Sequence, residues 1–151
     1  MATKVTDLRS ALKMLEDMPG QLIETDVEVE PMAELSGVYR HVGAGGTVMR
    51  PTKEGPAMIF NNVKGHPGAR VAIGVLASRT RVGALLECNP KDLGKKLYYS
   101  VDNPIPPVLT EEAAPCQEVV HKATDPDFDL YKLVPAPTNT PLDAGPYITL
   151  G

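Results

Sequence analysis

Residues 55–76 read GPAMIFNNVKGHPGARVAIGVL. Two apolar runs, PAMIFNNV and ARVAIGVL, flank KGHPG, a strong turn signal. The stretch predicts two adjacent strands, in the simplest case a hairpin. Upstream, QLIETDVEV at 21–29 alternates, with Ile23, Thr25, Val27 and Val29 on one side and Glu24, Asp26 and Glu28 on the other. That pattern predicts a third, half-buried strand. Helical signals surround these runs. Thr6 is placed to cap a first helix, with Asp7 at its positive end and Leu8, Ala11, Leu12, Leu15 and Met18 as one apolar stripe, closed by Pro19-Gly20. Pro31 opens a second helix carrying Met32, Leu35, Val38, Tyr39 and Val42, ended by GAGG at 43–46. Ser78 caps a third with Val82, Leu85 and Leu86, and Pro90 begins a fourth with Leu93, Leu97 and Tyr98. The fold class is α+β: a small α/β domain with a mixed sheet and flanking helices.

Beyond residue 100 the character changes. Six prolines fall in the first 100 residues and nine in the last 51. The boundaries predicted are a domain at 1–103, a Pro-rich linker at 104–115 and the start of a second domain at 116–151. Within that last part, CQEVVH at 116–121 predicts a short strand, DPDFDLYKLVPAP a turn and a brief helical or extended step, and PYITL at 146–150 the start of another strand. A chain that begins a strand there and stops is expected to be incomplete, leaving the edge at 147–150 unpaired.

The composition narrows the function classes. With 42% hydrophobic and 23% charged residues the chain is globular, and at 151 residues it is long enough to bury roughly two thirds of its unfolded surface. The net charge of -4 and the absence of a basic run longer than Lys95-Lys96 argue against a nucleic-acid surface. No apolar stretch approaches a membrane span or a signal core, so a cytoplasmic protein is expected. Cys88 and Cys116 stand apart and predict two buried free thiols.

Each candidate for chemistry has a simpler structural reading. GAGG fails the dinucleotide fingerprint, because Val48 stands where the third glycine belongs and a helix, not a strand, precedes it. His41, His66 and His121 lack a second ligand at metal spacing. Asp125, Asp127 and Asp129 resemble a calcium loop only superficially, with Pro126 and Phe128 between them and no glycine at the turn position. Capping carboxylates are the better reading. Ser36, Ser78 and Ser100 sit in no GxSxG context.

Three stretches in register nevertheless resemble the N-terminal region of the UbiD family of decarboxylases. They are DLRSALKMLEDMPGQLIETDVEVEPMAELSGVYRH, GPAMIFNNVKGHPGARVAIGVLASRTRVGALL, and PCQEVVHKATDPDFDLYKLVPAPTNTPLDAGPYITLG. The resemblance covers nearly the whole chain. It implies that 116–151 opens a split β-barrel that binds flavin, entered through Asp143, Gly145, Tyr147, Ile148 and Thr149. Thr138-Asn139 stands where the family often has Thr-His, and Ala144-Gly145 where it often has Gly-Gly. Those departures, with VGAGGTV at 42–48, resemble members acting on hydroxylated benzoates.

The resemblance further implies reversible, non-oxidative decarboxylation with prenylated FMN, a divalent metal (Mn or Mg) and potassium, in a homo-oligomer. The family's Glu–Arg–Glu acid network and metal ligands match no residue here, so neither catalytic nor metal-binding residues are assigned. Thr149 alone falls where the family begins to touch the flavin. Two other readings stay open: a non-catalytic subunit docking on a separate catalytic chain, and an unrelated α+β ligand-binding domain.

Overall fold

The computed structural model describes residues 4–44 and 54–148. In chain order the elements are α1 (Leu8–Glu16), β1 (Leu22–Thr25), α2 (Glu34–Ala44), β2 (Ala57–Phe60), β3 (Val71–Ile73), α3 (Arg79–Leu85), α4 (Leu93–Asp102) and α5 (Leu130–Leu133). They form an α+β structure around a small mixed sheet. Its order is β1-β2-β3, with β1 parallel to β2 and β3 antiparallel to β2.

The hairpin stands as expected. Phe60 pairs with Val71 and Met58 with Ile73, and Gly65 and Gly68 take the left-handed angles (φ 82° and 78°) that the KGHPG turn needs. As the central strand, β2 is buried at all four positions. Met58 and Phe60 join Val29, Leu35 and Val63 in one core, with Tyr39, Val42, Val71 and Ile73 packed against it. The α2 crossover thus covers the sheet between its two parallel strands. On α1, Ala11 and Leu15 are the buried pair, one helical turn apart.

Several local expectations give way to tertiary contacts. Asp7, not Thr6, caps α1: its carboxylate accepts the Ser10 N–H at 2.7 Å, and the Thr6 N–H is itself a donor to Ser10 Oγ. A carboxylate accepts more strongly than a hydroxyl at this positive end. Helix α2 begins at Glu34 instead of Pro31, because residues 31–33 pair with a distant strand-like segment and Ala33 turns left-handed at φ 65°. The alternating run 21–29 yields a strand only at Leu22–Thr25, followed by an isolated bridge from Val29 to Val63. Its predicted apolar face fails at Ile23 and Val27, both exposed, since β1 is an edge strand and the ladder ends before Val27. Ser78 caps α3 as expected, and Pro90–Asp92 forms a 3-10 turn leading into α4.

The second half holds the larger differences. Residues 116–121 form no strand. Pro115–Gln117 is a 3-10 turn and the residues after it have no ladder partner. Both thiols are free, but Cys88 is only half-buried and Cys116 is exposed. The accessible surface is 11505 Å², against about 7,500 Å² for a compact monomer of this mass. Burial therefore falls short of the expected two thirds. The excess is partly apolar, with Ile105, Val108 and Leu109 each more than 90% exposed.

Candidate functional site

From Val134 onward the chain folds back as a strap across α2 and β3. The Thr138 N–H donates to Pro31 O at 3.1 Å, and the Ala33 N–H donates to Thr138 O at 2.7 Å. Thr138 is buried, and beside it the Ser36 hydroxyl donates to Asn139 Oδ1. Beyond this clasp, Asp143 closes a turn by accepting the Thr140 N–H at 2.8 Å, and the Tyr147 N–H returns to Pro137 O at 3.1 Å. Pro146, Tyr147 and Ile148 are not in a strand; residues 149 and 150 of the predicted run lie outside the described residues.

The strap roofs two cavities. One, of about 360 Å³, follows the open edge of β3 and is lined by Arg70, Val71, Ile73, Val134, Tyr147 and Ile148 among others. The second, of about 550 Å³, lies between α2 and the strap turn, bounded by Ser36, Gly37, Ile73, Asn139 and Pro141 among others. Ile73 and Asn139 border both.

Beneath the sheet ends lies a buried cation, Arg81, only 1% exposed. Its Nε donates to Val75 O at 3.3 Å, Nη2 to Gly74 O at 2.9 Å, and Nη1 to Gly55 O at 2.6 Å and Gln21 Oε1 at 3.1 Å. One guanidinium thus ties together the chain entering β1, the chain entering β2 and the chain leaving β3. Burial pushes its pKa down, opposed by the nearby Tyr39 and Glu54.

Glu54 accepts a hydrogen bond from the Ser78 hydroxyl. That bond lowers its pKa from the ordinary 4.5, helped by Thr80 and the Arg81 charge. A depressed carboxylate pKa in the folded state adds stability that is present in full above about pH 4.5 and disappears as pH falls through the folded value. Thermal midpoints between about pH 6 and about pH 3 should therefore fall less steeply in Glu54→Gln than in the parent. Parallel curves would remove Glu54 from the account.

The sequence candidates do not converge. Thr149 and the Gly45-Gly46 half of GAGG lie outside the described residues. His41 lies in the last turn of α2, His66 sits in the hairpin turn with its backbone N–H on Val63 O, and His121 is exposed. Asp125 accepts the Lys122 N–H and Asp129 the Tyr131 N–H, so both act as turn and capping carboxylates. Among the described residues no three His, Cys, Asp or Glu side chains gather as a metal would require. Arg70, the cation at the 360 Å³ cavity, donates through Nε to Asn61 Oδ1 at 2.6 Å and through Nη2 to Glu24 Oε2 at 3.3 Å, two of its five N–H donors. The described residues thus gather no ligand set for a divalent metal. Arg81 and the Ser36–Asn139 clasp were not singled out from sequence. The one signal for Arg81 is its position four residues before Leu85 on the same helical face.

Residues 14–101 match the 3-octaprenyl-4-hydroxybenzoate carboxy-lyase N-terminal domain, and residues 108–151 match the Rift-related domain of the same carboxy-lyase. The chain belongs to the UbiD family. The gallate decarboxylase of Lactiplantibacillus plantarum is 59% identical over 152 residues, covering 100% of this chain and 31% of that protein. The apo 3,4-dihydroxybenzoic acid decarboxylase of Enterobacter cloacae superposes with a TM-score of 0.84 at 58% identity, over 95% of this chain and 29% of that one. The UbiD-class enzyme HmfF of Pelotomaculum thermopropionicum, in complex with prFMN, gives 0.75 at 30% identity, over 94% and 30%. The chain spans about three tenths of the length of these relatives. UbiD membership closes the reading of an unrelated ligand-binding domain. Among the described residues no helix is long and apolar enough to cross a membrane.

Proposed function

We propose that this chain is the N-terminal portion of a UbiD-type decarboxylase acting reversibly and without net oxidation on a hydroxylated benzoic acid. The observation that carries the reading is the 59% identity to a gallate decarboxylase, with a match that runs through both family domains. Residues 1–103 serve as the packing domain, 104–115 as the linker, and 116–151 as the entrance to the flavin-binding split barrel. Prenylated FMN, with Mn or Mg and potassium, supplies the carbanion-stabilising chemistry in the intact enzyme. The prFMN complex of HmfF supports that choice of cofactor. The work of this chain is to hold the strap in place, through Thr138, Ser36 and Asn139, so that the run through Tyr147 reaches the cofactor with Thr149 against the flavin. The exposed apolar surface of residues 105–109 is covered by further protein in a cytoplasmic homo-oligomer.

A chimera tests the reading. The matching first third of the L. plantarum gallate decarboxylase is replaced by this chain, and carbon dioxide release from gallate and 3,4-dihydroxybenzoate is measured in cells that make prenylated FMN. The chimera is expected to turn over at least one of the two acids, and the 151-residue chain alone neither. A well-folded chimera that is inert on both, or an active isolated chain, overturns the proposal.

A further inference from the structure

Gly37 occupies the interior of α2, where glycine is the poorest helix former after proline. Close packing does not demand it. A Cβ built on Gly37 meets nothing within 4 Å, whereas one on Gly43, Gly55 or Gly74 strikes neighbouring atoms at 2.7 Å or less. What adjoins Gly37 is the cavity of about 550 Å³ beneath the strap turn. Ala33, whose carbonyl accepts the Gly37 N–H at 2.8 Å, lies one turn earlier on the same wall. Together they leave a shelf that carries a single methyl group. Ile73 and Pro141 add apolar walls, and Ser36, Asn139 and Thr140 contribute polar groups. Small residues below and aliphatic groups beside suit a flat ring.

The polar groups narrow the ligand further. Asn139 accepts the Ser36 hydroxyl through Oδ1, which leaves its amide hydrogens to donate and the Ser36 oxygen lone pairs to accept. A neutral donor beside a neutral acceptor matches a ring hydroxyl, which both gives and takes a hydrogen bond. A carboxylate has no proton to give the Ser36 oxygen, and Arg40, the cation on this cavity, has an interaction of its own. We infer that this cavity is a second small-molecule site that takes an uncharged hydroxylated benzene ring in preference to the corresponding acid. Given the decarboxylase reading, on which the choice of probe rests, its ligand class is the phenol left once carbon dioxide has gone.

The test titrates the full-length chimera described above, free of cofactor, and its Gly37→Ala and Gly37→Leu variants with catechol, 4-methylphenol and 3,4-dihydroxybenzoate, followed by calorimetry and amide chemical shifts. Catechol and 4-methylphenol should bind saturably to the parent and shift the Ser36, Gly37 and Asn139 amides, with the acid binding more weakly. Gly37→Ala should raise the thermal midpoint while weakening phenol binding, and Gly37→Leu should weaken it by about tenfold or more. A more stable protein that binds less cannot be explained by misfolding. The inference fails if no phenol binds saturably, if the acid binds as tightly as catechol, or if Gly37→Leu binds like the parent. Phenol binding needs neither cofactor nor turnover, so an inert chimera would sink the decarboxylase reading and leave this one standing.

Discussion

Arg81→Ala will lower the unfolding free energy by about 2 to 6 kcal/mol, the cost of leaving two carbonyls without their donor. The guanidinium is 1% exposed and donates to three backbone carbonyls and one side-chain amide. Its removal strands Gly55 O and Val75 O, each a group whose burial without a partner costs about 1 to 3 kcal/mol, while Gly74 O keeps the Ala77 N–H at 3.1 Å. Water entering the vacated volume recovers part of that. Lysine will not substitute, because a single ammonium cannot span carbonyls arranged around a planar fork. Arg81→Met separates charge from volume: it restores most of the packing and none of the hydrogen bonds. Urea denaturation of the three variants checks the ordering, with Ala and Met both far below the parent and Lys between. An Arg81→Met protein as stable as the parent would mean the clamp contributes bulk only.

That residue also shows how far the sequence could be read. The hairpin at 55–76, the α3 cap at Ser78 and the Ala11–Leu15 part of the α1 stripe were legible because each is fixed within a few residues by turn chemistry, a cap or a period, whereas Leu8 at the head of that stripe is exposed. Arg81 was not, because its acceptors are backbone carbonyls, and no residue type advertises a bare carbonyl. The clasp from Ser36 to Asn139 spans 103 positions and leaves no local trace. The same distant segment explains the late start of α2. Thr138 pairs with residues 31–33 and pulls them out of a helix that Pro31 would otherwise begin well. CQEVVH misled in the opposite direction. It has strand propensity and no neighbouring strand, and propensity without a ladder does not make a strand. For the cofactor, the resemblance to UbiD enzymes pointed to Thr149, whereas the residues described before it offer no metal cluster.

The second large effect is expected at Gly74. It combines two demands that only glycine meets: a left-handed backbone (φ 76°) and a Cβ position 2.3 Å from the Tyr39 ring carbon Cε2 and from its hydroxyl oxygen. Left-handed strain in a residue with a Cβ costs about 1 to 2 kcal/mol, and overpacking a filled space about 1 to 3 kcal/mol. Gly74→Ala should therefore destabilise by about 3 kcal/mol. The Tyr39 ring also lies close to Gly43, where an added Cβ would stand 2.7 Å from it. A double-mutant cycle divides the two costs. Tyr39→Ala empties the space, so in that background Gly74→Ala should keep the backbone strain and lose the clash, giving a coupling of about 1 to 3 kcal/mol. Zero coupling would assign the whole penalty to the backbone. The displacement also reaches the site: Gly74 O is an acceptor of Arg81 Nη2, and Ile73 beside it walls both cavities. Gly74→Ala should thus weaken phenol binding at the Gly37 shelf even below its melting range. Tyr39 wedged between glycines is what joins the buried clamp to the cleft beneath the strap.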